Sequence, residues 1–243
     1  MKKITEPVRL QKFLSGQGIC SRREAEDFIA KGKVLVNGNP ATLGDKVIGE
    51  EKIVFNGVTI KVRTNIQSIV LAWHKPVHTE VTFHNEHGGK TLNDFDFGAE
   101  RVVPIGRLDK DSHGLLLLTN DGDLANKIAH PSYSHEKEYV VAIDTPVTPA
   151  IIERLSSGKL EVNGKRVQPC EVEQIKEKVF RIILKEGKNR QIRRMCEACD
   201  LKVKELVRVR VNNIWLNELP VGKWRKLNSA EIAQLQKKIV IPA

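Results

Sequence analysis

The sequence predicts an α+β fold in two parts: a small α/β module, then a larger domain built on a mixed, mainly antiparallel sheet. Three observations predict it. Within residues 8–55, apolar residues at helical spacing give way to a short apolar run ending in an Asn-Gly turn. Further on, β-branched and aliphatic runs outnumber helical patterns. No internal repeat or low-complexity segment interrupts either part.

The elements follow in order. Leu10, Phe13 and Leu14 recur at helical spacing with Arg9 and Lys12 toward the other side, and Gly16 and Gly18 break that helix. Ser21-Arg22-Arg23-Glu24 announces a second helix as a capping box, Ala25, Phe28 and Ile29 supply its apolar face, and Gly32 ends it. Val34-Leu35-Val36 then runs into Asn37-Gly38, a hairpin signal. The polar stretch from Asn56 to Ser68 reads as hairpin end and linker, which sets the expected boundaries at residues 1–60, 61–68 and 69–243. In the larger part, Ile69 to Trp73, Leu115 to Leu118, Lys137 to Ile143 and Val179 to Leu184 read as strands, and Thr148-Pro149 starts a helix through Ile151, Ile152 and Leu155. Leu115 to Leu118 is aliphatic at every position, the mark of a strand buried on both faces. Asn120-Asp121-Gly122 reads as the turn that closes it.

Composition narrows the function. The 243 residues are 40% hydrophobic and 29% charged, an ordinary globular balance. A net charge of +10 points to a polyanionic partner, because a cationic surface raises affinity and on-rate for phosphate backbones. A membrane is the competing polyanion, but no apolar run approaches the roughly 20 residues of a spanning helix and no wide-faced amphipathic helix carries flanking lysines. Glu6, Pro7, Arg9 and Lys12 interrupt any secretory signal, so a cytoplasmic monomer is expected. Cys20, Cys170, Cys196 and Cys199 are too few for a disulfide framework in a chain this long. Cys196 and Cys199 have zinc-like spacing, but the second ligand pair is missing: Pro76 separates His74 from His78, and His84 and His87 lie in an unhelical stretch. Buried thiols are expected instead. There is no phosphate-binding glycine motif, no dinucleotide fingerprint and no metal cluster, so neither cofactor nor metal is expected.

Two segments carry candidate chemistry. In Pro104-Ile-Gly-Arg-Leu-Asp-Lys-Asp-Ser-His-Gly114, Gly106 and Gly114 bracket a loop that delivers the Asp109 carboxylate to the edge of a buried strand. Residue type alone favours an Asp that caps a turn. In Gly187-Lys-Asn-Arg-Gln-Ile-Arg-Arg-Met-Cys-Glu-Ala-Cys199, with Asn189 as cap, Ile192, Met195, Cys196 and Cys199 share one helical face while Arg190, Arg193 and Arg194 share the other. Residues 185–210 hold nine Lys/Arg against four Asp/Glu, a net +5, which is half the formal charge in about a tenth of the chain. Arg22 and Arg23 sit in the first turn of a helix, adding to the positive end of its dipole, where phosphate binds readily. Taken alone, either arginine group is as readily a solvated face.

The strings themselves add to this. Gly-Arg-Leu-Asp, followed after four residues by Gly-Leu-Leu-Leu-Leu-Thr-Asn-Asp-Gly, and Gly-x-x-x-Gln-Ile-Arg-Arg-Met closely resemble motifs of the ribosomal RNA pseudouridine synthases of the RsuA/RluB/RluE/RluF family, nearest to the RluF subgroup. Arg-Leu-x-x-Phe-Leu, Ser-Arg-Arg-x-Ala and Val-x-Val-Asn-Gly in the first part resemble the S-four-like RNA-binding module. The resemblance implies isomerisation of a uridine to pseudouridine in ribosomal RNA, with a large-subunit uridine implied by the subgroup. It implies that Asp109 is catalytic, as nucleophile or as base, that Arg193 pairs with it, that Tyr139 in His-Glu-Lys-Glu-Tyr stacks on the target base, and that Leu219 lines the pocket. By residue type and pattern, Tyr139 is simply an aromatic on a strand. RNA contacts are expected from Arg9, Lys12, Arg22, Arg23, Arg107, Lys188, Arg190 and Arg194. Lys75-Pro76 matches a further hallmark, but His78 stands where the family usually has Gly. The rival reading is a non-catalytic RNA-binding or ribosome-assembly protein, for which the module and the basic helix suffice. A metal-dependent nuclease would need clustered carboxylates, and only Asp109 and Asp111 are close.

Overall fold

The computed structural model describes residues 6–63, 66–85, 88–98, 101–130 and 135–237. His87, used above in the zinc argument, lies outside them. The chain divides into two compact units, changing over between Ser68 and Ile69.

The first unit contains helices α1 (Leu10–Gly16) and α2 (Arg22–Ala30) and strands β1 (Val8–Arg9), β2 (Val34–Val36), β3 (Asn39–Pro40), β4 (Lys46–Val47), β5 (Ile53–Phe55) and β6 (Val58–Thr59). The capping box is made: the Glu24 amide donates to the Ser21 hydroxyl at 3.1 Å, and the Ser21 amide donates to the Glu24 carboxylate at 2.6 Å. More strand forms than the single hairpin predicted, with β3-β2-β5-β6 as an antiparallel sheet and β1 paired to β4. Both of its tight turns use Asn-Gly, Asn37-Gly38 and Asn56-Gly57, with φ positive at all four residues, as two-residue hairpins require. Leu10, Phe13, Leu14, Ala25, Ile29, Val34 and Ile53 form its core.

The second unit holds β7 (Val70–Lys75), β8 (Val103–Pro104), β9 (His113–Thr119), β10 (Lys137–Ile143), β11 (Glu161–Val162), β12 (Lys165–Arg166), β13 (Glu171–Lys176), β14 (Val179–Leu184), β15 (Val203–Val211), β16 (Ile214–Trp215) and β17 (Trp224–Lys226). Its helices are α3 (Gly122–Ala129), α4 (Pro149–Ser156), α5 (Gln191–Glu197) and α6 (Ser229–Lys237). Nine of these strands make one sheet along β13-β14-β10-β15-β9-β7-β17, with β16 beside β15 and β8 beside β9. Its ladders are antiparallel except β15 against β9, so the sheet is mixed and mainly antiparallel, as the sequence predicts.

β9 is an interior strand, between β15 and β7. Leu115 and Leu117 pack into one core with Val70, Leu124, Ile128 and Leu235, while Leu116 and Leu118 pack into another with Trp73, Leu92 and Phe97. The split follows from strand alternation, and each of these leucines contributes about 1.5–3 kcal/mol of burial. A separate core joins α4 and α5 to β10, β14 and β15 through Leu155, Ile192, Met195, Val141, Phe180 and Leu206.

Some local readings are corrected. Asn120-Asp121-Gly122 is no mere turn: Asp121 is the N-cap of α3, accepting from the amides of Asp123 and Leu124 at 3.0 Å each. Asn189 does not cap α5, since Arg190 occupies that position in the left-handed region with φ +52° and no side-chain cap bond. Cys196 and Cys199 are buried and free, and burial pushes the Cys196 thiol up to about 12.

The β9–β15 junction is unusually close. Gly114 has φ +107°, and a Cβ there would lie 2.3 Å from the Arg208 carbonyl oxygen and 2.7 Å from its nitrogen. Because these are backbone atoms within a ladder, they cannot swing aside. Gly114→Ala is expected to cost the strain of a left-handed alanine, roughly 1–3 kcal/mol, plus the clash, and so to lower Tm by about 5–10 °C on the usual scale for this size. A Tm within 2 °C of wild type by calorimetry would contradict the close approach.

Candidate active site

Asp109 rides on a loop pinned at both ends. At its start the Ile105 amide donates to the Leu117 carbonyl at 2.8 Å, and Gly106 turns the chain with φ +73°. At its end the Ser112 amide donates to the Asp109 carbonyl at 3.1 Å. Lys75, fully buried, reaches from β7 and donates to the carbonyls of Ser112 at 2.8 Å, Pro76 at 2.9 Å and Lys110 at 3.4 Å. Burial pulls the Lys75 ammonium down to about 8, opposed by the carboxylates of Asp109 and Asp111 and assisted by Arg208. His78 has φ +60°, the left-handed region that favours glycine, and its amide donates to the Lys110 carbonyl at 2.7 Å. The turn expected to need Gly is therefore made with His at some strain.

Beside this loop lies a cavity of about 310 Å³. The loop contributes Ile105, Leu108 and Asp109, β10 contributes Lys137 and Tyr139, β14 Leu184, α5 Ile192, and β15 Leu206 and Arg208. Tyr139 is half-buried, packing partly on the core and partly lining the cavity, so the plain reading as core is incomplete. Lys137 and Tyr139 are two apart on one strand and so share a face. Burial and the Arg208 charge pull the Lys137 ammonium down to about 8. Arg208 donates from Nε to the Leu115 carbonyl at 2.7 Å and from Nη1 to the Arg107 carbonyl at 3.4 Å, while its buried Nη2 has no partner.

The other expected residues divide. Arg193 reaches the loop but not its carboxylate: Nη2 donates to the Asp111 carbonyl at 2.8 Å and approaches the Ser112 hydroxyl at 3.4 Å, and among the described residues no ion pair joins Arg193 to Asp109. It is half-buried with a partnerless buried Nε, rather than on a solvated face. Arg107 and Arg190 are exposed at the cavity, with Arg190 3.6 Å from the Asp111 carboxylate, an exposed pair of little energetic weight. Lys188 is committed to Glu186 at 2.7 Å and to the Arg166 carbonyl, and Arg194 donates to Asn189 at 3.1 Å. Leu219 does not line the cavity. It packs near Val70 and Ile214 and offers its carbonyl to His74 at 2.7 Å, while Leu206 forms the apolar wall. In the first unit Arg9, Arg22 and Arg23 are exposed and Lys12 half-buried. Among the described residues no three His, Cys, Asp or Glu side chains are grouped to hold a metal, and no helix is long and apolar enough to cross a membrane.

Sequence reasoning missed Lys137, Leu206 and Arg208. Their signal was present: Lys137-x-Tyr139 alternates on β10, and Val207-Arg-Val-Arg-Val211 alternates arginine with valine on β15.

A mixed sheet that holds a carboxylate-bearing loop over a basic cavity, in a chain whose first unit is a small helix-and-hairpin module, defines a class of RNA-modifying enzymes. The chain belongs to the RNA pseudouridylate synthase family: that family's model matches residues 69–198, and the S4 domain model matches residues 8–53. It is 45% identical over 233 residues to the dual-specificity RNA pseudouridine synthase RluF of Escherichia coli (strain K12), covering 96% of this chain and 79% of that protein. It is 35% identical over 235 residues to the ribosomal large subunit pseudouridine synthase B of Bacillus subtilis (strain 168), covering 94% and 95%. A solved structure described as a crystal structure of pseudouridylate synthase is 27% identical with a TM-score of 0.68, covering 94% of this chain and 99% of that one. The chain is an isomerase.

Since Arg193 contacts a carbonyl and not a buried carboxylate, its removal strands no buried charge. Arg193→Ala is expected to cost at most about 1.5–3 kcal/mol, the range for a hydrogen bond to a charged group, and to lower activity by loosening the loop. Calorimetry checks it, and outright unfolding of the variant would show that Arg193 bears a buried ion pair after all.

Proposed function

We propose that the chain converts a specific uridine of ribosomal RNA, in the large subunit, to pseudouridine, acting as a cytoplasmic monomer with Asp109 as the catalytic residue. The observation that carries this reading is the meeting of the Asp109 carboxylate and the Tyr139 ring in one cavity of about 310 Å³. The name of the Bacillus subtilis relative, a ribosomal large subunit pseudouridine synthase, supports ribosomal RNA as the substrate class. The reaction breaks the bond between the uracil nitrogen N1 and the ribose carbon C1′, turns the ring, and joins C5 to C1′. The electrons and atoms of the substrate are conserved, so no redox partner is consumed. Asp109 attacks C1′ or the uracil ring, or removes a ribose proton, and each role needs the ionised carboxylate. The target base leaves its stack to enter the cavity, and Tyr139 offers the ring against which it lies. In this reading Arg107 and Arg190, which are exposed at the cavity, meet backbone phosphates.

The first 60 residues, followed by a linker at 61–68, act in this reading as the grip on structured RNA. They hold ten Lys/Arg against seven Asp/Glu, a net +3. Their contribution therefore comes from placed interactions of Arg9, Lys12, Arg22 and Arg23, not from bulk charge. A non-catalytic RNA-binding role would not need the Asp109 loop.

Asp109→Asn is expected to abolish pseudouridine formation while RNA affinity stays within a few fold, because the change is nearly isosteric. Near-wild-type turnover of the purified variant would remove Asp109 from the chemistry. For the grip, Arg22→Ala combined with Arg23→Ala is expected to lower the slope of log affinity against log salt by about 0.7–0.9 for each phosphate that the pair neutralises in the wild type. An unchanged slope would mean that these arginines do not touch RNA.

A further inference from the structure

Two arginines stand two residues apart on β15, and both are buried, Arg208 at 3% exposure and Arg210 at 9%. They are treated very differently. Arg210 meets the carboxylates of Glu138 at 2.7 Å and Glu136 at 3.1 Å. A register shift between Glu138 and Tyr139 then sets Arg208 opposite Tyr139, and among the described residues Arg208 forms no ion pair. Its partners are two backbone carbonyls, and Nη2 is left over. Lys137, half-buried on the Tyr139 face, uses one N–H on the His135 carbonyl at 3.2 Å and, among the described residues, forms no ion pair. Lys137, Arg208 and Asp109 all line the cavity. Of the remaining charges there, Glu186 is matched by Lys188 at 2.7 Å.

Two positive charges that form no ion pair among the described residues are costly to keep out of water, since each buried ion carries a penalty of several kcal/mol until something opposes it. The lowered ammonium of Lys137 is the same cost seen from the proton's side. An anion that forms in the cavity would relieve both. Arg107 and Arg190, exposed at the cavity, differ from these two buried or half-buried cations in standing where solvent reaches them.

We propose that Lys137, backed by the fixed charge of Arg208, holds the negative charge that the uracil ring carries once its bond to ribose has broken. The inference rests on the uridine-isomerase reading. When C1′–N1 breaks, the bonding pair stays with the ring, and the charge spreads over N1 and the carbonyl oxygens. C1′ is either captured by an Asp109 oxygen, or the sugar gives up a ribose proton to Asp109; the ring anion is the same. C5 then donates a ring electron pair to C1′ as the C1′–oxygen bond to Asp109 breaks or, on the other branch, as Asp109 returns its proton to the ribose carbon C2′; the C5 proton leaves, and N1 gains a proton. Lys137 is the contact to the ring oxygen. Arg208 acts through the field in a partly dry cavity, where a preorganised charge acts strongly, and by holding the Leu115 and Arg107 carbonyls.

The test uses leaving-group chemistry. Large-subunit ribosomal RNA transcribed with uridine or with 5-fluorouridine is reacted under single turnover with wild type, Lys137→Met, Lys137→Arg and Arg208→Met, and conversion of the target nucleoside is followed by chromatography of the digested target fragment, which separates the C-linked product from the N-linked substrate of equal mass. Fluorine withdraws electrons and stabilises the ring anion, so a fluorinated substrate needs less help from the protein. Lys137→Met is expected to slow the uridine reaction by about 10²-fold, the scale for removing one preorganised charge-stabilising donor, and the 5-fluorouridine reaction by at least several fold less. Lys137→Arg, which keeps the charge, is expected to restore most of the rate. Equal losses on both substrates, or a Lys137→Met rate within twofold of wild type on uridine, would overturn the inference. Arg208→Met is expected to show the same substrate dependence; if it fails to fold, Lys137→Met decides alone, being half-buried with one hydrogen bond to lose. Should wild type leave the uridine transcript unchanged, the functional reading fails and not this refinement of it.

Discussion

The nine-stranded sheet depends on one short parallel ladder. β13, β14, β10 and β15 form one antiparallel half, β9, β7 and β17 belong to the other, and the halves meet where Val207 pairs with His113 and Arg208 with Gly114. Only a residue without a Cβ permits the approach, and the φ of +107° at Gly114 would strain any other residue. Arg208 then bridges the seam, its guanidinium donating across to β9 and to the Asp109 loop. The cavity draws on both halves: the acid comes with the loop entering β9, the aromatic ring and the lysine with β10. A site built across a seam in this way takes its geometry from the sheet and not from the flexibility of its loop.

Charge gives the cavity its character. Lys75 beneath the loop, and Lys137 and Arg208 along the wall, surround a single half-buried carboxylate that lines the cavity, Asp109, apart from Glu186, which is tied to Lys188. Lys75 has a structural task, since its three carbonyl partners set the path of residues 110–112. Lys137 and Arg208 have fewer bonds to make and line the cavity. The contrast with neighbouring Arg210, fully matched by two glutamates, shows that this strand can neutralise an arginine where neutrality serves the fold.

Much of the fold was legible. Lys137–Ile143 and Val179–Leu184 form strands with the predicted ends, because their residues are long β-favouring runs with clear turn signals at each side. α3 was not, since the Asp-Gly that usually marks a turn here caps a helix, and the deciding apolar residues Leu124, Ala125 and Ile128 span barely two turns. Of the candidate site, Asp109 and Tyr139 share a cavity, and the strings around them pointed to both. The direction of a side chain was beyond reach: Arg193 turns to a backbone carbonyl, and Leu219 packs on a core that borders the cavity without lining it. Arg208 escaped notice because alternation with valine makes an arginine look solvent-facing, and only the bulge opposite Tyr139 and the antiparallel pairing of β10 with β15 reveal that its face is inward.

The central claim is that the cavity isomerises uridine in ribosomal RNA. The most direct measurement maps pseudouridines at single-nucleotide resolution in ribosomal RNA from cells with the protein, without it, and with the gene restored. The account predicts that at least one large-subunit position loses its pseudouridine when the protein is absent and regains it on restoration. Identical maps in all three would contradict it.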